Sequence, residues 1–171
     1  MKQLNISTPV LIAKYEEVPA VERQLIDEAR RISAQAYAPY SNFSVGAAIL
    51  LSSGKIVTGA NQENVAYPSG TCAERVAAFY AHAHFPDDKF VTIAIAAFHS
   101  DGEELSQPIS PCGNCRQALL EYENLFNSKI KVLLVGKEYI HIISSNKRPF
   151  AVVVLSFMTS YIIMCNVGYD V

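Results

Sequence analysis

The chain has 171 residues, half of them hydrophobic and only 18% charged, and 14 Lys and Arg against 16 Asp and Glu give a formal net charge of -2. That length suits one domain with a real core, and the apolar content excludes an intrinsically disordered segment. A near-balanced charge leaves no basic stripe for a nucleic-acid backbone, so a small uncharged partner fits better than a polyanion.

Residues 1–19 are expected as an N-terminal extension carrying a short apolar piece, Val10-Leu11-Ile12-Ala13, as an edge strand or an arm, closed by Pro19. From Ala20 to Tyr37 the residues Val21, Leu25, Ile26, Ala29, Ile32 and Ala36 recur at helical spacing. Glu22, Arg23, Asp27, Arg30 and Arg31 occupy the other side, so an amphipathic helix packed on a sheet is predicted, ended by Pro39. Tyr40-Ser41-Asn42-Phe43 reads as a connecting loop. Val45 to Leu51 and Ile56 to Ala60 read as two strands of a hairpin turned by Ser52-Ser53-Gly54. Asn61 to Gly70 is polar and turn-rich.

Cys72 to His84 has a helical pattern with Val76, Phe79, Tyr80 and Ala83 on the inward face and Thr71 or Ser69 as cap, and Pro86 stops it. Val91 to Phe98 is a nearly unbroken apolar run, the mark of a buried central strand. Gly113 to Phe126 is a further helix with Ala118, Leu119, Tyr122 and Leu125 inward. Val132 to Val135 and Tyr139 to Ile143 are strands. The order β-β-α-β-α-β-β behind a leading helix implies an α/β fold: a single mixed sheet of about five strands flanked by helices, in one domain over 20–144. An apolar tail follows over 145–171.

Four cysteines are present: Cys72, Cys112, Cys115 and Cys165. Met1-Lys2-Gln3-Leu4-Asn5 lacks the apolar core of a secretory leader, so a reduced cytoplasmic protein is expected, in which this spacing favours a metal over disulfides. Cys72, Cys112 and Cys115 fall at predicted helix starts, where unpaired amides and the helix dipole favour thiolates. Three sulfurs on zinc leave one position open, and Glu74 is a carboxylate beside it that can move protons. A structural zinc site would close with a fourth protein ligand. His82 and His84 lie about three turns down the helix, roughly 15–18 Å from Cys72, too far to be that ligand. Three thiolates also make the ion a poorer Lewis acid. Arg75 and Arg116, which directly follow the site residues, are placed to donate to the sulfurs and offset that charge.

Cys72-Ala73-Glu74 with Pro111-Cys112-Gly113-Asn114-Cys115 resembles the signature of zinc-dependent nucleoside and nucleobase deaminases with three cysteine ligands. Across about Tyr37 to Gly136 the chain is similar to the small homotetrameric cytidine deaminases. The similarity lies in Tyr40-Ser41-Asn42-Phe43-Ser44-Val45-Gly46-Ala47-Ala48, in Asn61-Gln62-Glu63-Asn64 and Tyr67-Pro68, and in Ser110-Pro111 through Arg116-Gln117. The resemblance implies α/β/α layers and Zn²⁺ held by Cys72, Cys112 and Cys115, with water at the fourth position attacking C4 of cytosine. Glu74 would take the water proton, pass it to ring N3 and help protonate the departing amine. Asn61 and Glu63 would hold the ribose hydroxyls, and Phe43 would stack on the base. Tyr67 is grouped with these substrate contacts. The Ser110 carbonyl would face the leaving ammonia and the Ala73 N–H the base carbonyl.

Between Ile56 and Glu74 there is no Lys or Arg, and Glu63 is anionic, so a 5′-phosphate finds little compensation and a free nucleoside is favoured. The expected function is hydrolytic deamination of cytidine and 2′-deoxycytidine in pyrimidine salvage. The alternatives are a blasticidin-type aminonucleoside deaminase and a zinc-stabilised binding protein without activity. The C-terminus departs from the family: after Lys147-Arg148-Pro149, Phe150 to Tyr169 carries no charge, where relatives close on Leu-Leu-Pro and an aromatic. Three readings stand for it: a buried subunit interface, an altered end, or a membrane anchor interrupted by Ser156, Thr159 and Ser160.

Overall fold

Side chains of Ser44–Leu51 (β2) and Phe90–Phe98 (β4) alternate between two apolar cores, Ala47, Ile49, Ile93 and Ile95 to one and Ala48, Ala94 and Ala96 to the other. Both faces of these strands are therefore covered, which is why they read as continuous apolar runs. The computed structural model describes residues 9–144. The other strands are Leu11–Ala13 (β1), Ile56–Ala60 (β3), Lys131–Val135 (β5) and Ile140–Ile143 (β6), and the helices are Ala20–Ser33 (α1), Ala73–His84 (α2) and Gly113–Leu125 (α3). The sheet order is β1-β6-β5-β4-β2-β3, antiparallel throughout except for the β4–β5 pair. The apolar piece of the N-terminal extension is thus a sixth strand at the edge, with Ile12 opposite His141.

Helix α1 lies on one face through Leu25, Ile26 and Ala29, while α2 and α3 lie on the other through Ala73, Ala77, Ala78, Ala81 and Leu119. Two glycines set these distances. A Cβ on Gly46 would come 2.0 Å from the Ala29 carbonyl oxygen, and one on Gly59 would come 2.5 Å from the Ala77 nitrogen and 2.7 Å from the Ala73 carbonyl oxygen. Backbone of the sheet therefore touches backbone of α1 and α2 directly. The long loop from β4 to α3 is tied back by Arg30 on α1, whose Nε and Nη2 donate to the two Glu104 carboxylate oxygens at 2.8 and 3.1 Å.

Expectations on all three helices need correction. In α2 the inward face is Ala73, Ala77, Ala78 and Ala81, whereas Phe79 is 48% and Tyr80 52% exposed and Ala83 is also outside. The small side chains face the sheet because Gly59 draws the helix too close for large ones. On α1 Val21 is exposed, and on α3 Leu125 is exposed. Neither Thr71 nor Ser69 caps α2; the N-cap residue is Cys72, without a side-chain cap hydrogen bond. Helix α1 also stops at Ser33, earlier than Tyr37. The apolar tail over 145–171, including Cys165, lies outside the described residues. Among the described residues no helix is long and apolar enough to cross a membrane.

Candidate active site

Helices α2 and α3 begin on cysteines: Cys72 and Cys112 are their N-cap residues, and the Sγ atoms of the two stand 3.8 Å apart. Cys115, one turn into α3 and buried, puts its Sγ 3.4 Å from that of Cys112. All three sulfurs lie within 4.8 Å of one another, and this is the one such cluster of possible metal ligands among the described residues. Four ligands at tetrahedral corners with 2.3 Å metal–sulfur bonds would sit about 3.8 Å apart, so the triangle has the size of one face of a zinc site.

Without a cation, three thiols packed this closely share their protons unequally. Cys112 is held far below the usual thiol range by its hydrogen bonding with Cys115 and Cys72, helped by the backbone amides of Cys115 and Asn114. Cys72 is pushed up to about 11, chiefly as the donor to Cys112, and Cys115 is driven higher still for the same reason. One sulfur ionises at its neighbours' expense. All three can be thiolates together only with positive charge among them, as zinc supplies.

Glu74 follows two residues after Cys72 in the first turn of α2 and is 5% exposed. Burial pushes its carboxyl up to about 7, with the Cys112 charge acting in the same direction. A carboxyl with that value both accepts and returns protons near neutrality. Ala73 beside it is fully buried, and Ser110 is half-buried two residues ahead of Cys112.

The two arginines part company. Arg75 Nη2 donates to Cys72 Sγ at 3.8 Å. Arg116 is buried and gives its Nη1 to the Pro111 carbonyl oxygen at 3.2 Å, so it braces the turn ahead of Cys112 and not a sulfur.

Asn61 and Glu63 gather a second group of residues. Asn61 Oδ1 accepts from the Val45 amide at 2.8 Å and its Nδ2 donates to the Phe43 carbonyl at 2.9 Å. Glu63 Oε2 accepts from the amides of Tyr40 and Ser41 at 2.9 and 3.3 Å, and its Oε1 accepts from the Ser41 hydroxyl. Phe43 packs partly buried against the core that includes Ala73. Tyr67 stands in a short 3₁₀ turn and is 72% exposed. Ser41 was legible only as a loop residue, because its partner is 22 positions away.

A family profile described as "Cytidine and deoxycytidylate deaminase zinc-binding region" matches residues 19–128. The chain is 43% identical over 102 residues to a cytidine deaminase of Halalkalibacterium halodurans, covering 59% of this chain and 72% of that one. It is 43% identical over 101 residues to a cytidine deaminase of Sporosarcina psychrophila, covering 59% and 69% of the two chains. The crystal structure of cytidine deaminase from Burkholderia pseudomallei superposes with a TM-score of 0.61 at 38% identity, over 71% of this chain and 90% of that one. Alike in sequence and in fold to these proteins, the chain belongs to the family of cytidine and deoxycytidylate deaminases.

Proposed function

We propose that this chain hydrolyses cytidine, and 2′-deoxycytidine, to the uridine nucleoside and ammonia. The observation that carries the reading is the sulfur triangle of Cys72, Cys112 and Cys115 at two helix starts, with buried Glu74 in the first turn beside it. These three cysteines would hold Zn²⁺, which when bound supplies the Lewis acidity that makes water a nucleophile at neutral pH.

The chain's own groups do the rest. Glu74 takes a proton from the attacking water, delivers it to ring N3, and passes a further proton to the amine as the C4–N bond breaks. The Ala73 N–H meets the base carbonyl, and the Ser110 carbonyl accepts from the departing ammonia. Arg75 withdraws negative charge from Cys72, and Arg116 holds the Pro111 turn that presents Cys112. Phe43 stacks on the base, with Tyr67 at the rim.

Hydrogen-bond capacity supports the ribose assignment. A carboxylate has about four acceptor sites and an amide nitrogen two N–H groups. Glu63 has three acceptor sites engaged by the loop, and Asn61 has one N–H engaged. Glu63 keeps one acceptor site and Asn61 keeps one N–H and one lone pair on Oδ1, a set that complements sugar hydroxyls. A 5′-phosphate brought near this loop would meet the Glu63 carboxylate and no Lys or Arg between Ile56 and Glu74.

The same reading places the protein in the cytoplasm, in pyrimidine salvage, with residues 20–144 as the catalytic domain, and as a homotetramer. Half-exposed Phe79 and Tyr80 on α2 are consistent with a subunit contact. The test is zinc content together with the ultraviolet change as cytidine becomes uridine, with deoxycytidine, cytidine monophosphate and adenosine in parallel. Turnover of the two cytosine nucleosides and neither of the others is expected. Stoichiometric zinc without turnover of any would refute the proposal.

A further inference from the structure

Between Phe43 and Glu63 a single hydroxyl sits in a fixed hydrogen-bond chain. The Phe43 amide donates to Ser41 Oγ at 3.1 Å, and Ser41 Oγ donates to Glu63 Oε1. A serine hydroxyl has one proton to give, so with that proton on Glu63 and the Phe43 amide on a lone pair, its rotation is settled. The backbone makes the arrangement possible. Asn42 has a φ of 54°, in the left-handed region that Asn tolerates better than other side chains, and its amide donates to the Ala38 carbonyl at 3.0 Å. The chain doubles back at that residue, which brings the Phe43 amide onto the side chain two positions before it. A Thr keeps the hydroxyl and an Ala removes it.

We propose that Ser41 is a positioning residue for substrate. It holds the Glu63 carboxylate so that the carboxylate's remaining acceptor faces the sugar hydroxyls of the nucleoside, and it thereby sets how strongly the enzyme depends on those hydroxyls. The inference rests on the nucleoside reading above, in which Glu63 takes the ribose. Without Ser41 Oγ, Glu63 Oε1 keeps no partner from the loop and the carboxylate can rotate about its Oε2 contacts, so the bond to the sugar is formed at the expense of ordering the carboxylate. Losing one such polar contact weakens binding by about tenfold. Because Ser41 touches none of the reacting atoms, the loss falls on substrate and product alike.

The experiment measures binding of uridine and of 2′,3′-dideoxyuridine to the zinc-loaded full chain by calorimetry, which requires no turnover. Wild type, Ser41→Ala and Ser41→Thr are compared. Ser41→Ala is expected to raise Kd for uridine about tenfold and for the dideoxynucleoside by less than about twofold, and Ser41→Thr to restore the wild-type value. In turnover assays Ser41→Ala raises KM for cytidine and leaves kcat within about twofold. In a Glu63→Gln background Ser41→Ala adds little further loss, since its effect runs through Glu63. Unchanged uridine binding in Ser41→Ala overturns the proposal, and so does equal weakening for both nucleosides or full additivity with Glu63→Gln. Failure of wild type to turn over cytidine while it binds uridine would count against the deaminase reading alone.

Discussion

Replacing Gly59 by Ala asks how closely the catalytic helix must sit on the sheet. The added Cβ would lie 2.5 Å from the Ala77 nitrogen and 2.7 Å from the Ala73 carbonyl oxygen, with Val76 Cβ at 3.0 Å. Two of these neighbours are backbone of α2, so no side chain can swing aside. Ordinary contact begins near 3.4 Å, and α2 must retreat by roughly 0.9 Å at its first turns or β3 must bend away. Overpacking of this kind costs about 1–3 kcal/mol. For a domain of this size the midpoint of thermal unfolding should fall by about 3–10 °C. The catalytic loss should exceed what stability predicts, because the residues displaced with Ala73 are Cys72 and Glu74, and misplacement by about 1 Å is worth on the order of 100-fold in rate. Differential scanning calorimetry, zinc content and cytidine turnover would be measured on the same preparation. A Gly59→Ala protein with the wild-type midpoint and wild-type kcat would show that the contact is slack and the reasoning wrong. Gly54→Ala is the comparison for backbone strain without crowding: its φ is 87° but no atom lies within 4 Å of the new Cβ, so stability falls without the catalytic loss.

Glu74→Gln should retain zinc and lose at least about 10²–10⁴-fold in kcat, measured at matched zinc occupancy; retained turnover would remove Glu74 from proton transfer. Arg75→Gln should keep zinc but lower activity about 10–100-fold, and unchanged activity at equal occupancy would dismiss its effect on Cys72. In chelator-treated protein the raised Glu74 value has a definite sign. With the carboxyl at about 7 folded against 4.5 unfolded, the folded state binds more protons between those values, so its stability falls as pH rises through that window. The contribution is on the order of 3 kcal/mol. Denaturant melts at pH 5 and pH 8 should show it in wild type and not in Glu74→Gln.

Much of the fold was readable because its central strands are apolar on both faces, and the sulfur site because Cys-Ala-Glu and Pro-Cys-Gly-Asn-Cys fix their own helix starts. The orientation of α2 was not readable. Its expected face, centred on Val76, Phe79, Tyr80 and Ala83, lies roughly 140° around the helix from the face that is buried, at 100° per residue. Hydropathy favours large residues, whereas the Gly59 contact favours alanines, and that contact is between backbones far apart in sequence. Asn61 and Glu63 were legible as a pair but not as braces of the 40–45 loop, since which lone pairs a side chain has already committed depends on where that loop passes. The Arg30–Glu104 pair, 74 positions apart, leaves no local trace either.

Cys72 and Cys112 stand at the position where a helix ordinarily carries Ser, Thr, Asp or Asn to satisfy its first amides, and their Sγ atoms lie 3.8 Å apart. The same two sulfurs are thus the N-cap side chains of two helices and two corners of one triangle. The beginnings of α2 and α3 therefore share one fastening, and whatever disturbs the sulfur triangle frays two helices at once. Occupancy of the site and stability of these two helix starts are then coupled, so that a bound ion raises the unfolding midpoint of the whole chain.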